Sequence, residues 1–157
     1  MARFLLLAVT ILSSTSGVSM SLFTKDEVFL FSPVNGYLTY ENSPTQNTSV
    51  KRVVECDGKT YEDITVTDSY GHFSFEPLTK LERNLLPKEF VSHQKIIVNH
   101  KGKDYLIWET VKRSEELNSE LEGQKLDFEC EITDEYKFIH MTFNSVGTNC
   151  KLKTQDS

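Results

Sequence analysis

Positive charge is scarce in this chain. Of its 157 residues, 17 are Lys or Arg against 23 Asp or Glu, a formal net charge of −6. An acidic surface repels phosphate backbones, which argues against general nucleic-acid binding. Lys51-Arg52 and Lys112-Arg113 are isolated pairs rather than a basic patch. Long apolar runs are also missing, apart from one at the N-terminus, so no second segment could anchor the chain in a bilayer. His72, His93, His100 and His140 lack metal-ligand spacing, and no calcium-loop pattern is present. No cofactor is called for. There is no internal repeat, low-complexity tract or linker, and the length suits one domain.

The apolar run that does exist is Phe4 to Leu12, preceded by Arg3 and followed by small and polar residues up to Ser19. That order is the layout of a secretory signal peptide. As a helix it rises only about 14 Å, too short for a membrane core of roughly 30 Å. Residues 1–19 are therefore expected to be a signal peptide and 20–157 a single exported domain, periplasmic or secreted. Loss of Arg3 would leave that domain at −7. Export implies an oxidising compartment. Cys56, Cys130 and Cys150 allow at most one intramolecular disulfide and leave one thiol over.

The rest reads as β. Short alternating segments are expected at 28–31, 34–40, 49–56, 59–67, 72–75, 95–99, 103–110, 126–132 and 138–143. Asp57-Gly58 is a strong hairpin signal, and Gly36 marks a bulge or a close backbone approach. Segment 78–90 reads as a helical turn or an irregular excursion, 114–121 as a helical turn or mobile loop, and 154–157 as a frayed tail. With eight or nine strands and no βαβ unit, the expected fold class is all-β: a two-sheet antiparallel sandwich with short irregular or helical insertions.

Two stretches carry a resemblance. Ser32-Pro33-Val34-Asn35-Gly36, and later Thr67-Asp68-Ser69-Tyr70-Gly71-His72-Phe73-Ser74-Phe75, resemble the carboxypeptidase-regulatory-like or transthyretin-like (prealbumin-like) Greek-key sandwich domain. In this motif Asp68 would accept backbone hydrogen bonds, Gly71 would adopt positive φ, and Phe73 and Phe75 would enter the core. More closely, residues 32–152 resemble a family of small exported bacterial proteins of unknown function. That resemblance implies a Cys130–Cys150 disulfide. Cys56 departs from it and would be left free, as a semi-buried structural thiol.

Candidate chemistry is thin. The transthyretin-like hydrolases of urate breakdown end in a tyrosine-arginine-glycine-serine signature, whereas this chain ends Lys153-Thr154-Gln155-Asp156-Ser157. The serines near Asp68 lack a nucleophile elbow. Glu55 and Asp57 would raise the Cys56 pKa rather than activate the thiol. Tyr37, Tyr40, Tyr61, Tyr70 and Trp108 are available either for core packing or for a glycan or protein contact. The expected function is a non-catalytic, exported protein-binding module of the bacterial envelope. A periplasmic immunity protein against a toxin and a small transthyretin-like enzyme are the alternatives. The expected partner is a basic protein. Its surface would be a rim of residues 42–47 and 114–122, carrying Asn42, Asn47, Glu115, Glu116, Glu120 and Glu122.

Overall fold

The computed structural model describes residues 25–82 and 88–153. The signal-peptide segment, the Leu85-Leu86-Pro87 part of the middle excursion and the 154–157 tail lie outside the described residues. The architecture is all-β with multiple antiparallel sheets and the character of a sandwich. Its thirteen strands are β1 (Asp26–Phe31), β2 (Val34–Tyr40), β3 (Ser43–Pro44), β4 (Ser49–Cys56), β5 (Lys59–Val66), β6 (His72–Phe75), β7 (Leu78–Glu82), β8 (Ser92–His100), β9 (Lys103–Lys112), β10 (Leu126–Glu131), β11 (Lys137–His140), β12 (Ser145–Thr148) and β13 (Cys150–Leu152). A single 3₁₀ turn, Ser119–Leu121, is the one helical element among the described residues.

The larger sheet runs β11-β12-β9-β8-β4-β5. Its two long hairpins turn at Asp57-Gly58 and Lys101-Gly102, where all four residues have positive φ. That is the conformation of the tight hairpin turn whose twist matches its strands. Along β4 the buried set is Val50, Arg52, Val54 and Cys56. The adjacent Val53 and Val54 do not break the alternation, because it is Arg52 that points inward. Its guanidinium grips Asp63 through two bonds of 2.9 and 2.7 Å and donates to the Glu76 carbonyl. It also lies over the rings of Phe31 and Phe75, so both charge and hydrocarbon find partners. A register shift between Ile96 and Ile97 lets both Ile107 and Trp108 of β9 face the interior.

The second sheet runs β13-β10-β2-β3, with β6 also on β2, and the third is the β1-β7 pair. This departs from a purely antiparallel two-sheet expectation in two ways. First, β2 and β10 are parallel, Val34 facing Leu126 and Thr39 facing Glu131. Second, the β1-β7 ladder is separated from β2-β6 by prolines on both strands. Phe31 faces Leu78 and Val34 faces Phe75, so Ser32-Pro33 lies opposite Glu76-Pro77. Proline has no N–H to give a ladder, and here two of them interrupt one register at the same level. Segment 78–82, expected to be a helical turn or an irregular excursion, is thus strand β7; its leucines, Leu78 and Leu81, do not alternate with period two, and Leu81 is exposed, which hid that. The expected last strand at 138–143 shortens to β11, and β12 and β13 follow it unforeseen.

The core lies between the sheets. Trp108 from the larger sheet stacks on Phe128 of β10 at 4.8 Å, and Leu30, Phe31, Leu38, Ile96 and Leu126 complete its centre. Cys130 and Cys150 are direct cross-strand partners on β10 and β13 and form a disulfide, with Cα atoms 4.1 Å apart. Cys56 is free and buried. Burial is the main force pushing its thiol pKa up; Lys80 opposes it, and Asp57 adds to it.

Candidate functional site

The expected rim does not exist as one surface. Residue 32, which the 114–122 segment touches, precedes β2, whereas Asn42 follows it. Seven strand residues at about 3.3 Å each put the two loops roughly 23 Å apart, at opposite ends of β2. At the far end Asn42 and Asn47 are exposed, with φ of 62° and 50°. Their backbone N–H groups are committed, to Glu131 and to the Thr67 carbonyl.

At the near end Glu120 departs furthest from expectation. Read as an exposed rim carboxylate, it is fully buried. Its carboxylate accepts from the Ser32 N–H (2.9 Å), the Ser32 hydroxyl (2.7 Å), the Gln94 amide (2.9 Å) and the equally buried Lys112 ammonium (3.3 Å). Lys112 also donates to the Glu116 carbonyl at 2.7 Å, and burial lowers its pKa. The Asn118 N–H donates to the Ser32 hydroxyl. This network satisfies two buried charges, the condition under which such a pair is tolerated. It also folds the loop into a fixed shape, with Asn118, Glu122 and Gly123 at positive φ and Leu121 tucked into the core.

The anchored loop leaves its tip outside. Leu117 is 46% exposed and Phe143, on the facing 141–144 turn, is 81% exposed. They line a cavity of about 640 Å³ with Arg113, Glu116, Glu122 and Asn144. Glu122 is tied across the cleft by accepting from the Thr142 N–H, and Arg113 reaches Glu89 at 3.2 Å. Glu116 and Glu122 are exposed, while Glu115 is half-buried. The two apolar residues were not singled out from sequence. An isolated leucine in a polar segment and a phenylalanine closing the expected strand at 138–143 are the signals they leave.

The Asp68 motif is architectural. Asp68 accepts from the Tyr70 and His72 N–H groups at 2.8 and 2.9 Å, the His72 bond being the main cause of its lowered pKa. Gly71 has φ +86°, and a side chain there would press on the Leu38 carbonyl. The Phe73 ring lies flat against Gly36, which explains the need for glycine inside β2. Phe75 packs beneath Arg52. Among the described residues no three His, Cys, Asp or Glu converge to hold a metal, and no helix is long and apolar enough to cross a membrane.

What emerges is a disulfide-bridged all-β domain with a rigidly anchored loop cleft. Residues 34–135, from the first residue of β2 to beyond β10, match the family described as a domain of unknown function, DUF6795, and the chain belongs to that family. No curated protein and no solved structure matches it.

Proposed function

We propose that this protein is a non-catalytic binding module, exported by its 1–19 segment to the envelope, whose partner is a protein with a basic, apolar-tipped segment. The transthyretin-like topology belongs to the same reading, supported by the Asp68-to-Phe75 turn and strand. The carrying observation is the pair Leu117 and Phe143, held out at a cleft edged by Glu116 and Glu122. A folded protein gains nothing by displaying a phenylalanine at 81% exposure, whereas a partner that covers it gains about 2 kcal/mol. The two carboxylates favour lysine or arginine beside the inserted side chain. The loop is already fixed by the Glu120 network, so little ordering cost falls on binding. Neutralisation of a basic toxin is the narrower form of this reading, favoured by the −7 charge expected after loss of Arg3.

The test is a pull-down from envelope extract followed by kinetics on each recovered protein. Charge reversal at Glu116, whose exposed carboxylate holds nothing together in the free protein, should slow association and flatten its salt dependence, with an unchanged thermal melt. Phe143→Ala should speed dissociation instead. Association unchanged across a range of salt in the reversed variant, or dissociation indifferent to Phe143, rejects the cleft. A turnover abolished by one substitution, with binding intact, rejects the non-enzymatic reading.

A further inference from the structure

A second surface, sharing no residue with the loop cleft, lies on the outer face of the mixed sheet. The residues of β2 that alternate with buried Val34, Gly36 and Leu38 are Asn35, Tyr37 and Thr39. Cross-strand register sets them in rows: Ser74, Asn35 and Asp127 in one, His72, Tyr37 and Glu129 in the next. Two cavities, of about 340 and 250 Å³, share Tyr37 as a wall residue and so adjoin at it, forming the two halves of one surface groove along β2. The ring is half-buried and rests on the His72 imidazole, centroids 5.2 Å apart, which holds its orientation.

The polar groups around that ring are unspent. Elsewhere on the sheet such groups are consumed: Glu131 takes bonds from Thr39, Glu41, Asn42 and Thr133, and Glu129 pairs with Lys153 at 3.1 Å. By contrast, the side chains of Asn35, Tyr37, Ser74 and Asp127 make no hydrogen bond to any described residue. An amide, two hydroxyls and a carboxylate offer both donors and acceptors beside an aromatic face. That combination suits a ligand with one apolar C–H face and adjacent hydroxyls at its edge. Five carboxylates in the walls (Asp68, Asp127, Glu129, Glu131 and Asp134) outnumber Lys151 and Lys153, the latter already paired with Glu129, so an anionic ligand is disfavoured, and the largely polar walls give an apolar one little to bury against. From Asn35 to Thr39 the groove extends about 13 Å, more than a single sugar ring needs.

We propose that this groove binds a neutral oligosaccharide, stacked on Tyr37 and hydrogen-bonded by Asn35, Ser74 and Asp127. Two neutral oligosaccharides, cellohexaose and chitohexaose, serve as probes, with an oligogalacturonate as the acidic counterpart. Each is titrated at millimolar concentration into nitrogen-15-labelled protein. At least one neutral probe should shift the amides of Asn35, Tyr37, His72, Ser74 and Asp127 while leaving those of Leu117 and Phe143 in place. Tyr37→Ala should weaken that binding about tenfold. Tyr37→Phe should retain most of it, and neither variant should alter protein capture at the cleft. The proposal is overturned if neither neutral probe moves the groove amides, if the acidic probe binds more tightly, or if a correctly folded Tyr37→Ala binds as wild type does.

Discussion

Replacing Glu120 by alanine should unfold more of this protein's stability than any other single change to a loop residue. The substitution strands the Lys112 ammonium, fully buried with its partner, and leaves the Ser32 and Gln94 donors that Glu120 satisfied without an acceptor. Removing one member of a buried ion pair costs roughly 3–5 kcal/mol, and the unsatisfied amides push towards the upper end of that range. Against a total of about 5–15 kcal/mol for an ordinary domain, a loss of about 4 kcal/mol is severe. In urea it should move the midpoint by about 2 M or more with little change in slope. Lys112→Met should cost less, because the carboxylate keeps the two Ser32 donors and Gln94. The double variant Lys112→Met with Glu120→Leu removes both charges, so its loss should fall well short of the sum of the single losses. Amide exchange adds a local readout: in Glu120→Ala the 113–122 backbone should exchange faster than the β8-β9 hairpin. A Glu120→Ala loss under about 1 kcal/mol, or additive losses in the double variant, would refute a buried, coupled pair.

Three further outcomes are expected. Burial works to raise the Glu131 pKa, but the hydrogen bonds from Thr133, Asn42 and Thr39 outweigh it and hold the carboxyl at about 2. Its stabilisation, about 1–2 kcal/mol after discounting for partial exposure, is therefore complete above the ordinary glutamate range and lost as pH falls from about 4.5 towards 2; denaturation of Glu131→Gln at several pH values should show that slope flattened. Gly36→Ala would drive a methyl into the Phe73 ring, so calorimetry should show a lower melting temperature, from a cost of about 1–3 kcal/mol. Reducing the Cys130–Cys150 bridge, which spans 20 residues, should cost about 3 kcal/mol, and non-reducing peptide mapping of the native protein should return that linkage with Cys56 unpaired.

Local chemistry was readable where it acts locally. The strands 34–40, 49–56 and 72–75 and the Asp57-Gly58 turn follow from alternation and from residues that tolerate positive φ. The parallel β2-β10 pairing leaves no such trace, since its partners are 92 residues apart and neither strand encodes the other. Strands β12 and β13 read Ser-Val-Gly-Thr and Cys-Lys-Leu, too short and too mixed to show a period. The candidate surface failed for a related reason. Four glutamates within eight residues read as one acidic face. Burial of Glu120 is decided by Ser32, 88 positions earlier, and by Lys112 at the end of β9. Arg52 repeats the lesson: the alternation of β4 is complete only with this charged residue counted as inward, and it is Asp63, Phe31 and Phe75, distant in sequence, that make that position tenable.

The β2-β10 pairing also dictates an order of events. Strand β2 must wait for a partner synthesised 92 residues later, while the β4-β5 and β8-β9 hairpins close on themselves at once. Until β10 arrives, β2 has only β6 and the short β3 on one edge, and its other edge is open to any extended chain nearby. The step that seals that edge also carries Cys130 into place and brings Phe128 beneath Trp108. Tryptophan emission should therefore report the closing of the whole domain, and a chain stalled before residue 126 would be the form most prone to pair with its neighbours.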